Sequence, residues 1–158
     1  MKTLVAYFSA SGVTARLAGR LAEAIGADVN EIVPRVRYTR ADLDWTDKKS
    51  RSTIEMNDRN CRPEINRTVE NMAGYDVVFV GFPVWWYREP SIIDTFMEAY
   101  DFTGKTVVPF ATSGGSDIGD AGANMQKLAP GAKVVPGKRF SASASSETLA
   151  AWAKEWLD

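Results

Sequence analysis

No histidine occurs in the 158 residues. That absence removes Ser-His-Asp and Cys-His catalysis, and with them the commonest transition-metal ligand. A single cysteine, Cys61, cannot close a disulfide within the chain and leaves no Cys-rich metal site, which fits a reducing compartment. No apolar run reaches the roughly 18 residues that a membrane-spanning helix needs. The start Met1-Lys2-Thr3-Leu4 passes straight into an apolar segment with no signal-peptide cleavage site, so a cytoplasmic location is expected. Charge of either sign is nearly balanced: the net value of −1 supplies no field to attract nucleic acid or an acidic membrane surface. Neither G-x-G-x-x-G nor G-x-x-x-x-G-K-[ST] occurs, which sets aside dinucleotide-fold and P-loop readings. Phe8-Ser9-Ala10 also lacks the acidic cluster that a receiver domain needs after its first strand.

What is present reads as one globular domain, with 45% apolar and 25% charged residues. Leu4-Val5-Ala6-Tyr7-Phe8 is continuously apolar, the pattern of a parallel strand covered on both faces. Val77-Val78-Phe79-Val80-Gly81-Phe82 and Thr106-Val107-Val108-Pro109-Phe110-Ala111 look alike, although Pro109 removes a ladder donor and belongs at an edge or bulge. Weaker strands are expected over residues 29–33, ending at Pro34, and at Lys133-Val134-Val135. Between strands the period turns helical. Leu17, Leu21 and Ile25, with Ala18 and Ala22, mark a helix stopped near Gly26. Ile92, Ile93, Phe96, Met97 and Tyr100 mark a second, and Leu149, Trp152, Ala153 and Trp156 a C-terminal one. Five strands alternating with helices predict a doubly wound α/β sandwich with a parallel sheet and right-handed crossovers.

Residues 35–75 are far longer than an ordinary α/β connection. Ile65, Val69 and Met72 predict one short helix there, while residues 38–61 show no clear period. Nine Lys/Arg stand against six Asp/Glu in residues 35–67, so the rest of the chain, which holds all the candidate site loops, is acidic. Cys61 and Arg67 have the C-x5-R spacing of a phosphatase loop, but Pro63 and Glu64 interrupt it, no strand precedes it and it contains no glycine.

Three loops carry chemistry. Ser9-Ala10-Ser11-Gly12-Val13-Thr14 links the first strand to the first helix, where small side chains, hydroxyls and unpaired N–H groups make an anion cradle. With no Lys or Arg between Lys2 and Arg16, its donors are neutral. Pro83-Val84-Trp85-Trp86-Tyr87-Arg88 places three adjacent aromatics at a strand end, more than one core layer can bury, so at least one is expected to face a planar ligand or a partner. Thr112-Ser113-Gly114-Gly115-Ser116-Asp117-Ile118-Gly119 offers many backbone N–H groups to a heterocycle. In an open parallel sheet all three converge beyond the carboxyl ends of the strands, where ligands bind.

The first of these segments resembles the phosphate-binding signature of the flavodoxin family. Tyr75-Asp76-Val77-Val78-Phe79-Val80-Gly81-Phe82-Pro83-Val84-Trp85-Trp86 and Lys105-Thr106-Val107-Val108-Pro109-Phe110-Ala111-Thr112-Ser113-Gly114-Gly115-Ser116 are similar to a bacterial branch with double-Trp and Thr-Ser-Gly-Gly loops. The resemblance implies a strand order of 2-1-3-4-5 and FMN as cofactor. Its phosphate would lie on Ser9, Ala10, Ser11, Gly12, Val13 and Thr14. Its isoalloxazine would lie between Pro83, Val84, Trp85, Trp86 and Tyr87 on one side and Thr112, Ser113, Gly114, Gly115, Asp117 and Gly119 on the other. It implies electron carriage with a redox protein partner such as a flavodoxin reductase. An NAD(P)H-dependent quinone or flavin oxidoreductase and a flavin-dependent partner-binding module are the alternatives. Tyr87 departs from the pattern, because relatives commonly place glycine just after the tryptophans.

Overall fold

A computed structural model describes residues 1–66 and 68–157 of the chain. Strands β1 (Thr3–Tyr7), β2 (Asp28–Glu31), β3 (Val77–Pro83) and β4 (Thr106–Thr112) are parallel and ordered β2-β1-β3-β4. The edge beyond β4 consists of two short pieces, β5 (Lys133–Val134) and β6 (Lys138–Phe140), each paired with β4. The predicted order 2-1-3-4-5 is therefore present, with the fifth strand split in two.

That split accounts for Pro109 inside β4. The carbonyls of Lys105 and Val107 accept bonds from Lys133 and Val135, so by strand alternation the missing N–H of Pro109 also points to the edge. There the edge strand is interrupted: a Cβ at Gly137 would lie 2.3 Å from the Pro109 carbonyl oxygen. The proline thus withholds a donor where no acceptor waits, and the β3–β4 register runs unbroken from Val77–Thr106 to Pro83–Thr112.

Alternate strand residues feed two cores, as the sheet period requires. Val5, Phe79, Val108 and Phe110 pack with Leu17 and Leu21 of α1 (Val13–Ile25) and Leu149 of α5 (Ser146–Ala153). Leu4, Val78, Val80 and Val107 pack with Ile92 and Phe96 of α3 (Ser91–Ala99) and Met125 of α4 (Ala121–Leu128). With helices on both faces, the central strands have no solvated side, hence their unbroken apolar runs. Gly26 ends α1 in the left-handed conformation, as its position predicts. Among the described residues, no helix is long and apolar enough to cross a membrane.

The connection between β2 and β3 differs from expectation. Pro34 pairs with Ile65 in an antiparallel bridge, with Arg35 N–H donating to Glu64 and Asn66 N–H to Val33, so residues 35–64 form a loop closed at its base. No helix joins Ile65, Val69 and Met72 among the described residues; Met72 opens a single 3-10 turn, Met72–Gly74. The helix of this segment is α2 (Arg51–Met56), where Ser50 Oγ accepts from Thr53 N–H. Six residues burying Ser52, Thr53 and Met56 leave no apolar period to read. α4 also escapes a pattern search because its buried residues are Ala121, Gly122 and Met125. Arg67, the arginine of the C-x5-R spacing, lies outside the described residues.

Candidate functional site

β1 delivers the 9–14 loop to the start of α1. Gly12 adopts φ +93° at the helix entrance, a conformation an L residue resists, and no side chain caps the helix. Ser9 Oγ accepts the Gly12 N–H at 3.1 Å, shaping the loop from within. The first-turn N–H groups and the positive helix end are thus presented at the loop. One cation joins this cradle that sequence reading leaves out: Arg16 Nη1 folds back to within 3.3 Å of where a Gly12 Cβ would stand.

The 83–88 segment makes a two-residue hairpin. Trp85 N–H donates to Arg88 at 3.0 Å and Arg88 N–H returns to Trp85 at 3.1 Å. Trp86 and Tyr87 occupy its centre at φ +50° and +61°, positions normally given to Asn or Gly. Backbone of this kind costs of order 1–3 kcal/mol per residue, so surrounding contacts hold it. The two tryptophans have separate fates. Trp85 packs edge-on against Phe8 at 5.6 Å and Tyr38 at 5.4 Å, which makes it part of the floor. Trp86 and Tyr87 are exposed at the rim, by 37% and 73%.

β4 carries the 112–119 loop alongside. Thr112 accepts from Val84 N–H at 2.9 Å, and its hydroxyl lies 2.8 Å from that of the buried Thr14. Ser113 Oγ bonds the Ser116 carbonyl and is itself held by Arg139 Nε at 3.2 Å. Asp117 Oδ1 accepts the Gly119 N–H at 2.8 Å. A Cβ at Gly119 would come within 2.0 Å of the Tyr87 carbonyl oxygen, so glycine is what lets this loop meet the hairpin. The three predicted loops are therefore joined to one another. Arg139 gave no signal in the sequence, being a lone basic residue on an edge strand.

A cavity of about 480 Å³ opens beside the hairpin and the glycine loop, lined by Val84, Trp85, Trp86, Tyr87 and Ser116 and not by the 9–14 loop. Its remaining wall comes from the long connection: Leu43, Trp45 and Ser52. Sequence reading missed these three, and the one available signal was an isolated tryptophan in a polar stretch. Tyr38 fastens the connection here. Its ring meets Phe8 and Trp85, its hydroxyl donates to Glu55, and the Arg51 guanidinium lies 3.8 Å from its ring centroid while pairing with Glu55 at 2.9 Å. Burial first, then the bond to Glu55, pushes the Tyr38 hydroxyl far above its ordinary pKa and keeps it a donor. Cys61 also titrates high, raised by burial and then by Glu55 and Asp58, the opposite of an activated nucleophile.

An uncapped helix end, an aromatic cleft and a glycine-rich loop at the carboxyl ends of parallel strands define a nucleotide-cofactor-binding α/β protein. A profile of the Flavodoxin family matches residues 2–156, and the chain belongs to that family. Candidate flavoproteins from Bacteroides eggerthii DSM 20697 and Bacteroides uniformis ATCC 8492 share 47% and 50% identity with it. Their TM-scores are 0.93 and 0.91; the first alignment covers 99% of this chain and 98% of that one, the second 97% of each. A flavoprotein from Lactobacillus acidophilus NCFM, solved with FMN, has the same fold at 22% identity and TM-score 0.71, covering 99% of both chains. No protein of curated function matches the chain significantly in sequence. Membership of the family brings FMN as cofactor. The residues present fit it: hydroxyls and helix N–H groups for a phosphate, and a cleft walled by aromatic rings for a planar heterocycle.

Proposed function

We propose that the chain carries electrons between redox protein partners through non-covalently bound FMN. Bound FMN supplies the one- and two-electron chemistry. The observation that carries the reading is the junction of cradle, hairpin and glycine loop through Thr14–Thr112 and Tyr87–Gly119. In this reading Ser9, Ala10, Ser11, Gly12, Val13 and Thr14 bind the phosphate, with Arg16 adding charge. Pro83, Val84, Trp85, Trp86 and Tyr87 line one side of the ring; Thr112, Ser113, Gly114, Gly115, Asp117 and Gly119 line the other. Trp86 and Tyr87 stand exposed where a redox protein would approach, and Trp45, also exposed, lines the cleft from the connection.

Fluorescence titration tests the cofactor: FMN should bind far more tightly than riboflavin, because the cradle recognises the phosphate. Equal affinities would remove the phosphate from the 9–14 loop. Carrier function is tested by anaerobic photoreduction of the loaded protein, followed by a one-electron acceptor protein. Rapid electron transfer to the acceptor, with slow bleaching by NADPH alone and fast bleaching when a separate reductase is added, is the expected result. Rapid, saturable bleaching by NADPH alone would instead favour an NAD(P)H-dependent quinone or flavin oxidoreductase.

A further inference from the structure

Directly after the hairpin, Arg88 and Glu89 enter the interior, 6% and 0% exposed. The Arg88 guanidinium donates to the carbonyls of Glu89 at 3.1 Å and of Met56, at the end of α2, at 3.2 Å. It lies 3.8 Å from the Glu89 carboxylate and 3.6 Å from that of Asp94, in the first turn of α3. Asp94 is itself only 5% exposed. One oxygen on each acid, Glu89 Oε2 and Asp94 Oδ1, is buried without a hydrogen-bond partner in the described structure. Two buried carboxylate oxygens without donors are costly, and a proton shared between the acids gives each its partner.

The charges facing the pair favour one such proton. From the connection, Arg62 approaches Asp94 at 3.9 Å but is committed to Glu98 of α3 at 2.6 Å. From α4, Asn124 donates to Glu89 Oε1 at 3.1 Å, and Lys127 lines the adjoining cavity with Arg59. Arg59 and Lys127 are exposed, so solvent screens them. The carboxylate of Glu55 is taken by Tyr38 and Arg51. Arg88 and Arg62 thus face three carboxylates, Glu89, Asp94 and Glu98. Arg62 and Glu98 pair with each other nearer the surface, and one proton makes the buried trio of Arg88, Glu89 and Asp94 neutral. The Asp94 carboxyl is accordingly driven up to about 8, first by burial and then by the neighbouring Glu89 carboxyl, against the pull of both arginines. A cavity of about 150 Å³, lined by Glu89 and Asp94 and edged by Arg59, Arg62 and Lys127, connects the pair with the surface.

We propose that Glu89 and Asp94 form a proton-binding site coupled to the charge of the cofactor, taking a proton from solvent when the flavin beside the hairpin gains negative charge. The inference rests on the FMN reading above. Two-electron reduction to the anionic form places two electrons and one proton on the ring, leaving one added negative charge. A pair that has lost its shared proton takes one back from solvent through the 150 Å³ cavity, in addition to the proton on the ring, and offsets that charge. Arg88 joins the two places: its backbone closes the hairpin with Trp85, and its guanidinium faces both acids. Coupling is reciprocal, so proton binding at the pair also raises the affinity of the flavin for electrons.

Two measurements test this. In the apoprotein, side-chain carboxyl NMR should show one acid of the pair keeping its proton past about pH 7, a signal that Asp94→Asn removes. Titration of every carboxyl below about pH 6 would overturn the shared proton. In the FMN-loaded protein, midpoint potentials measured with dithionite between about pH 6 and 10 should show an extra stretch of proton uptake in the wild type, missing in Asp94→Asn and in Glu89→Gln. Parallel curves for wild type and either folded variant would overturn the coupling. If the wild type does not bind FMN, the functional reading and the coupling fall together, whereas the apoprotein titration still decides the shared proton.

Discussion

The hydroxyls of Thr14 and Thr112 lie 2.8 Å apart across 98 residues of sequence, both buried, and tie the 9–14 loop to the glycine loop. Thr14→Val keeps the shape but leaves the Thr112 hydroxyl without its partner. The expected loss is about 1–3 kcal/mol in urea unfolding of the apoprotein. The double variant Thr14→Val/Thr112→Val should be less destabilised than the two single losses added together, because removing both polar groups leaves neither unsatisfied. Strict additivity would mean that the two hydroxyls do not depend on each other.

The tryptophans of the hairpin should separate by readout. Trp85→Ala removes two edge-to-face contacts, with Phe8 and Tyr38, and is expected to cost about 1–3 kcal/mol of stability. Trp86→Ala should leave stability nearly unchanged, since Trp86 is a rim residue, and should relieve quenching of bound flavin fluorescence. Unchanged quenching in Trp86→Ala would assign that ring to partner contact.

Tyr87 provides a test of backbone strain. At φ +61° any side chain is disfavoured, so Tyr87→Gly should be more stable than Tyr87→Ala by up to about 1 kcal/mol, after allowing for the larger entropy of glycine in the unfolded chain. At an ordinary position the order is reversed. Thermal unfolding of the two variants is sufficient to decide.

Asp94 should impose a falling pH dependence on stability. Its carboxyl holds its proton more tightly in the folded chain, to about 8, than in the unfolded chain, near the ordinary value of about 3.9. Its stabilising contribution is therefore complete below about pH 4 and is lost as pH rises toward the folded value. Relative to Asp94→Asn, the wild type should lose urea resistance between about pH 5 and 8.5. A difference that stays constant across this range would show that Asp94 ionises normally.

The sequence by itself determined the sheet, three of its helices and the three loops at its carboxyl edge. Parallel strands covered on both faces must be apolar at every position, and helix starts that meet anions need small residues, so both leave contiguous local patterns in the chain. Phe8, Phe79 and Phe110 could be assigned to the core on that ground alone. Only the tertiary structure decided which tryptophan floors the cleft and which stands at its rim, because Trp85 and Trp86 are identical in type and adjacent in sequence. Their difference arises from a hairpin twist and from Phe8 and Tyr38 arriving from elsewhere. The same holds for the wall of Leu43, Trp45 and Ser52 and for the facing acids Glu89 and Asp94. Their roles depend on contacts between distant segments, and such contacts leave no period, spacing or run in the chain that makes them.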